Sequence, residues 1–227
     1  DLHRLIRRQR QMCIRDRSDT SFDIFLEDIS PHGEILSTFR YASVGYEKYE
    51  IWIMDTCGKN RKQLLDWGKN PRWAFNYTKV IFNGDREHPG IWMMDKKGDD
   101  VEKVCLGSLI SYSILNNEFL FINEKNQICV YKLETGTIDT IIKKDDWATF
   151  PTWNTRGEKI LWLKVPEESY PGEMYDSLKL CIYSVKEESL ILEKTIKEKP
   201  LPTAHIWRLR WQPYGRWIVF EDIYNIW

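Results

Sequence analysis

Six loop residues carry the side chains best suited to binding or to chemistry. They are His88, Tyr170, Met174, Tyr175, His205 and Arg208. The two histidines could act as acid–base groups or metal ligands, and the arginine could hold an anion. The tyrosines and the methionine offer stacking and apolar surface. We predict that these six form a binding surface; the alternative is that each is an ordinary solvated loop residue.

The motifs of several large enzyme classes are absent. The sequence has no Gly-x-Ser-x-Gly elbow, no His-Glu-x-x-His, no P-loop and no dinucleotide fingerprint. Asp55 and Asp95 resemble a catalytic pair, but each begins a four-residue turn that ends in glycine, so we expect them to cap turns. We therefore predict no catalytic residue, no metal and no cofactor, and the question of enzymatic activity stays open with a preference against it.

One pattern recurs along the chain and indicates where the loops lie. Ile51-Trp52-Ile53-Met54-Asp55 and Ile91-Trp92-Met93-Met94-Asp95 are 40 residues apart, and a glycine follows each at the same offset. A period near 40, built from short apolar runs and glycine turns, is typical of β-propeller blades. Trp52, Trp92 and Trp227 share one place in this pattern, so we expect them to pack between blades rather than to form a ligand platform.

A second set of residues marks the first strand of each repeat. The positions are Trp73, Trp153 and Trp211, with Ile29 and Ser113 in the corresponding places. Short turns and apolar runs follow each of them, which predicts an all-β propeller of four-stranded antiparallel blades, with four blades and part of a fifth. We expect Phe22–Leu26 to be the last strand of a preceding blade. Because the repeat is interrupted at Trp227, we expect the sequence to be a piece of a longer protein.

Alternate connections of a four-stranded meander emerge on opposite rims of the blade. The connections between strands 1–2 and 3–4 are short. The others are longer and vary: Arg40–Tyr49, Asn83–Pro89, Val165–Ser177 and Glu198–His205. Variable loops on one face of a repeat scaffold usually carry recognition, so we place the candidate binding residues on this loop-rich rim.

The repeat resembles that of the TolB-like β-propellers. The resemblance rests on x-Pro-x-Trp, a short turn, Lys-x-Ile-x-Phe and then Ile-Trp-x-Met-Asp-x-x-Gly, and it covers residues 28–227, with Pro71–Val104 as the best copy. It implies a bacterial non-catalytic module that binds a protein or a small ligand. Two alternatives remain: the propeller of a prolyl-oligopeptidase-type hydrolase, or an oligogalacturonate-lyase-like propeller with histidine ligands. A TolB-like protein would be periplasmic or secreted.

Residues 1–17 differ from the rest and resemble a translated sequencing adapter, so we exclude them from the domain at 18–227. They contain six arginines and two aspartates. Without them, 27 basic side chains face 32 acidic ones, a net charge of −5, which disfavours nucleic acid as a partner. No apolar run approaches the roughly 20 residues of a membrane span.

The cysteines show no metal-ligand spacing. Cys129 and Cys181 occupy matching repeat positions, where we expect them to pack as small apolar side chains. Unpaired cysteines are compatible with a cytoplasmic location.

Overall fold

The computed structural model describes residues 22–43, 46–113, 115–142, 147–165, 174–175, 178–197, 201–202, 206–211 and 218–222. Every regular element in these ranges is a β-strand. The described residues include no helix that is long and apolar enough to cross a membrane. The chain divides into two compact units, Asp1–Leu106 and Gly107–Trp227.

The first unit contains two four-stranded antiparallel sheets, each a simple meander. The first sheet, blade 1, consists of β1 (Phe22–Ile29), β2 (Glu34–Ser43), β3 (Tyr46–Asp55) and β4 (Lys62–Leu65). The second, blade 2, consists of β5 (Lys69–Ala74), β6 (Lys79–Asn83), β7 (Ile91–Asp95) and β8 (Glu102–Cys105).

The second unit repeats this arrangement. Blade 3 consists of β9 (Ser108–Ser113), β10 (Glu118–Ile122), β11 (Ile128–Lys132) and β12 (Thr137–Ile142). Blade 4 consists of β13 (Trp147–Trp153), β14 (Lys159–Val165), β16 (Leu178–Ser184) and β17 (Ser189–Lys197). Two small sheets complete the unit: β15 (Met174–Tyr175) pairs with β18 (Leu201–Pro202), and β19 (Ile206–Trp211) with β20 (Ile218–Asp222). The predicted four blades and part of a fifth are confirmed.

A similar blade-to-blade core is present in each unit among the described residues. In the first unit it contains Leu36, Ile51, Leu64, Trp73, Val80, Phe82 and Met94. In the second it contains Leu120, Ile128, Val130, Trp153, Ile160, Trp162 and Cys181. The middle strands of blade 2 are nearly continuous apolar runs because the facing blade covers them. Burial of these faces is the main force that stabilises the fold.

Strand register corrects one predicted first-strand position. Trp73 pairs with Val80 and Trp153 with Ile160, the second residue of the next strand in each case. In blade 3 the residue in this position is Tyr112, which pairs with Phe119, and not Ser113. A constant offset of 40 residues misplaces it by one, because Tyr112 lies 39 residues after Trp73 and 41 before Trp153.

Two further predictions about blade 1 are wrong. Phe22–Leu26 is not the last strand of a preceding blade; it belongs to β1 and pairs with β2 of the same sheet. The segment Arg40–Tyr49 is not a long loop, because β2 and β3 continue as a hairpin until Ser43 pairs with Tyr46. Arg40 lies opposite Tyr49 and Tyr41 opposite Lys48, and such cross-strand neighbours are compatible with an extended hairpin.

Candidate functional site

The candidate site is built on the connection between β6 and β7, residues 84–90. The amide of Gly84 donates to the carbonyl of Gly90 at 2.8 Å, which closes the loop at its base. A Cβ on Gly84 would lie 1.7 Å from the carbonyl oxygen of His88. Only glycine therefore permits this close approach, and the loop is compact because of it.

Asp85 organises the inside of the loop. Its Oδ1 accepts the backbone amides of Glu87 at 3.0 Å and His88 at 2.8 Å, and the Nδ1 of His88 lies 2.9 Å from the same oxygen. Burial opposes ionisation of Asp85, but these hydrogen bonds and the charge of His88 outweigh burial and lower the pKa of the carboxyl group. The ionised carboxylate orients the imidazole.

The indoles of Trp67 and Trp92 both contact His88. Its ring stacks on Trp67 with centroids 4.1 Å apart and an interplanar angle of 18°. The Nε1 of Trp92 donates to the backbone carbonyl of His88 at 3.1 Å, and the two indoles meet edge to face at 5.1 Å. Trp67 lies between β4 and β5, so two different loops of the same rim meet here. We call Trp67, Asp85, His88 and Trp92 the His88 cluster.

The cluster presents a held imidazole to solvent. The side chain of His88 is 39% exposed. Within the described residues its Nε2 has no hydrogen-bond partner, whereas Nδ1 is occupied by Asp85. Such a group can accept or donate one hydrogen bond, stack against a flat ligand, or bind a metal through one nitrogen. The described residues contain no group of three or more His, Cys, Asp or Glu that could hold a metal ion.

The other candidate residues belong to the second unit. Met174 and Tyr175 form β15, whose partner is β18, with Met174 opposite Pro202 and Tyr175 opposite Leu201. Two separate loops of blade 4 are thereby joined. Arg208 lies in β19 opposite Glu221, so it is a strand residue and not a loop residue. Tyr170 and His205 lie outside the described residues.

The two turn aspartates are confirmed as caps. Oδ1 of Asp55 accepts the amides of Cys57 at 2.9 Å and Lys59 at 2.8 Å. Oδ1 of Asp95 accepts those of Lys97 and Asp99, both at 2.8 Å. The hydrogen bond from Asp99 is the largest cause of the lowered pKa of Asp95. Both carboxylates are occupied by their own turns.

One of the repeated tryptophans packs between blades as predicted: Trp92 lies against the core shared by blades 1 and 2. Trp52 instead lies against Phe39 of its own sheet, with ring centroids 5.0 Å apart. Cys129 and Cys181, in the corresponding register of blades 3 and 4, are each 1% exposed, as predicted. Trp92 has a second contact that the pattern did not show, since its indole also supports His88. Trp227 lies outside the described residues.

Sequence reasoning selected His88 but missed its partners. Asp85 was not singled out, although the Asp-x-x-His spacing was a usable signal, because a carboxylate at the start of a turn accepts the amides two and three residues later. Trp67 lies six residues before Trp73, as Trp147 lies six before Trp153, and this spacing indicates only a repeat position. Its stacking on His88 joins two loops, and spacing cannot show such a contact.

A second polar cluster lies on β2 and β3 of blade 1. Oε2 of Glu50 accepts the indole N–H of Trp52 at 2.9 Å, and Oε1 pairs with the Nζ of Lys48 at 2.9 Å. Burial opposes ionisation, but the hydrogen bonds from Lys48, Trp52 and Tyr41 together keep the pKa of Glu50 below its ordinary value. The carboxylate is fully engaged, so we interpret this cluster as structural.

Comparison with known proteins identifies the fold. No family pattern and no curated protein matches the sequence. The structure of TolB from Acinetobacter baumannii superposes with a TM-score of 0.65 at 17% identity, covering 87% of this chain and 48% of that one. The chain has the TolB-like β-propeller fold. It spans about half the length of that TolB.

Enzymes share the TolB-like fold. An oligogalacturonate lyase in complex with manganese gives a TM-score of 0.64 at 10% identity, covering 91% of this chain and 64% of that one. The tricorn protease gives 0.53 at 16% identity, covering 90% of this chain and 20% of that one. At such identities the likeness shows the fold alone, because one propeller scaffold supports different functions.

Proposed function

We propose that this chain is a non-catalytic interaction module of TolB type that binds a protein or a small ligand through its loop-rich rim. The observation that carries the proposal is the His88 cluster. There, a compact loop holds an exposed imidazole between an ionised carboxylate and an indole.

Preorganisation favours binding at this cluster. His88 is held by a ring stack and three hydrogen bonds. Binding of a ligand to it therefore costs little further side-chain entropy of His88. Aromatic side chains beside a few oriented polar groups are common at the centre of recognition sites. The imidazole is also exposed to solvent, so a ligand can reach it.

The paired loops of blade 4 support a second contact area. β15 and β18 join the connections before β16 and after β17, and the predicted residues Met174 and Tyr175 form one of the two strands. A two-stranded ribbon is a more defined recognition surface than two separate loops. We include Met174 and Tyr175 in the proposed binding surface on this ground, and Arg208, on the neighbouring strand β19, stays a prediction.

The test is ligand titration followed by protein NMR on the indole N–H signals. Short peptides and oligogalacturonates serve as probes, and single Trp→Phe variants assign the signals. We expect a bound probe to shift the signals of Trp67 and Trp92. Trp73 and Trp153, buried between blades, are the internal controls. Binding that shifts neither Trp67 nor Trp92, and that survives in His88→Ala, would contradict a role for the cluster.

An oligogalacturonate-lyase-like activity is the second candidate. The Nε2 of His88, which has no hydrogen-bond partner among the described residues, favours it, and a manganese-bound lyase shares the fold. Incubation with oligogalacturonate and Mn²⁺ would produce an unsaturated uronate, detectable by its ultraviolet absorbance, and His88→Ala would abolish it. Oligogalacturonate binding without product formation supports the non-catalytic proposal instead. The hydrolase alternative requires a catalytic domain in the gene and stays a prediction.

A further inference from the structure

The contact between Asp85 and His88 decides which nitrogen of the imidazole carries the proton. Oδ1 of Asp85 accepts the backbone amides of Glu87 and His88, and Nδ1 of His88 lies 2.9 Å from the same oxygen. The lowered pKa of Asp85 keeps the carboxylate ionised, and an ionised carboxylate can only accept hydrogen bonds. Nδ1 is therefore the protonated nitrogen, because an unprotonated Nδ1 would bring two lone pairs together at this distance.

The other ring nitrogen has a fixed polarity as a result. In a neutral imidazole one nitrogen donates and the other accepts, so Nε2 of His88 carries a lone pair and no proton. Among the residues that the structure describes, no group is hydrogen-bonded to Nε2, and the side chain is partly exposed. An oriented acceptor is thus open to a ligand.

The surroundings of this acceptor are aromatic and carry one cation. Trp67 and Trp92 meet edge to face at 5.1 Å, and both are partly exposed. Lys103 is opposite Trp92 on the neighbouring strand, and its Nζ lies 5.7 Å from the centroid of the Trp92 ring. This cation can attract an anion to the indole. A carboxylate cannot serve Nε2, however, because both are acceptors.

We propose that the His88 cluster selects a ligand that donates a hydrogen bond from a neutral O–H or N–H group to Nε2, and that Asp85 determines this preference. The inference rests on the proposed function of the rim and narrows it to one class of ligand group. A carboxylate placed at Nε2 would leave two acceptors facing each other, so the same geometry that favours donors rejects acceptors.

The nitrogen-15 NMR spectrum of the histidine rings tests the polarity directly. A protonated ring nitrogen resonates well upfield of an unprotonated one, and His88→Gln assigns the His88 signals among the four histidines. At a pH at which the spectrum shows the ring to be neutral, we expect a protonated Nδ1 and an unprotonated Nε2. The opposite pattern, or a mixture of the two, would overturn the proposal in the absence of any ligand.

Substitution of Asp85 tests its role. Asp85→Ala removes the acceptor, so the Nδ1 signal of His88 should move downfield and the Nε2 signal upfield. Glu87→Ala in the same loop is the matched control and should leave both signals in place, because the exposed side chain of Glu87 makes no hydrogen bond within the described residues. An unchanged pattern in folded Asp85→Ala would overturn the role of Asp85. The wild-type spectrum decides the polarity if that variant does not fold.

Matched neutral probes test the ligand class without the attraction of Lys103 for anions. Benzyl alcohol and benzamide each combine a ring with a donor, whereas benzyl methyl ether and N,N-dimethylbenzamide have similar shapes and no donor. Each donor should bind about two- to tenfold more tightly than its matched compound, which is the contribution of one hydrogen bond, and His88→Ala should abolish the difference. The pair with the larger ratio indicates whether a hydroxyl or an amide is preferred.

The outcomes separate this inference from the proposed function. Equal affinities within both pairs, or the wrong protonated nitrogen, would overturn the inference alone. Failure of all four probes to shift the indole signals of Trp67 and Trp92 would overturn both the inference and the binding function of the cluster.

Discussion

At the scale of the residue, the candidate site depends on Asp85 more than on the histidine that drew attention to it. The carboxylate accepts two amides and one imidazole N–H, so it determines both the loop conformation and the ring orientation. Gly84 makes this arrangement possible by leaving space beside the carbonyl of His88. The position of the exposed imidazole is therefore determined by Asp85 and Gly84.

Replacement of Asp85 by asparagine should reduce stability in a pH-dependent way. The folded-state pKa of Asp85 is lowered, so its stabilising effect is present above the unfolded-state pKa of about 3.9 and is lost as the pH falls through the folded value. We expect wild type to resist urea better than Asp85→Asn at pH 7, with the difference shrinking as the pH falls below the unfolded-state value. A difference that stays constant across this range would contradict the assignment.

Replacement of Gly84 by alanine should open the loop. The added Cβ would meet backbone at 1.7 Å, and backbone cannot move aside as a flexible side chain can. We expect a cost of about 2 kcal/mol or more in the free energy of unfolding. The control is Gly136→Ala, whose Cβ would have its nearest neighbour at 3.6 Å and would cost only the strain of a positive φ, about 1 kcal/mol. Equal costs would argue against the close approach.

At the scale of the element, adjacent blades are connected by first-strand contacts as well as by apolar packing. The amide of Trp73 on β5 donates to Oδ2 of Asp28 on β1 at 3.0 Å. In the second unit the amide of Trp153 on β13 donates to Oγ of Ser111 on β9 at 3.3 Å. Asp28 and Ser111 pair with corresponding residues of their neighbouring strands, Leu36 and Leu120. The hydrogen-bond acceptor for the tryptophan amide therefore comes from the same position in both repeats, although the side chain is an aspartate in one and a serine in the other.

Loss of this acceptor should destabilise the first unit. Asp28→Ala leaves the amide of the fully buried Trp73 without a partner, at a cost of about 1–3 kcal/mol in unfolding free energy. Asp28→Asn retains an acceptor oxygen and should cost less. Chemical unfolding followed by tryptophan fluorescence measures both. Similar costs for the two variants would indicate that the charge of Asp28, and not its hydrogen bond, is what matters.

At the scale of the whole molecule, two units repeat one construction, each with its own blade-to-blade core. Phe82 in the first unit and Trp162 in the second occupy corresponding positions, the fourth residue of the second strand of their blades. Both are buried. Stability is therefore distributed along the chain rather than concentrated in one central cluster, as is usual for repeat proteins.

Truncation of either side chain should have a large and comparable effect. Phe82→Ala and Trp162→Ala should each cost about 3–5 kcal/mol in unfolding free energy, because each removes a large side chain from a close-packed core. Leu115→Ala, at a site 69% exposed, should change it by less than about 0.5 kcal/mol. Thermal and urea unfolding of the three variants provide the measurement. A mild effect at one of the two core sites would mean that the units are not equivalent.

The sequence by itself determined the repeat, the strands and the caps. Tryptophans, apolar runs and glycines about 40 residues apart follow from local strand and turn chemistry, so they predicted the blades and the roles of Asp55 and Asp95. Only the tertiary structure decided the contacts between segments: Trp67 on His88, β15 with β18, and the position of Tyr112 in place of Ser113. Periodicity reports which residues are equivalent. It carries no information on a single bulge or on which side chains of different loops meet, because those depend on packing in three dimensions.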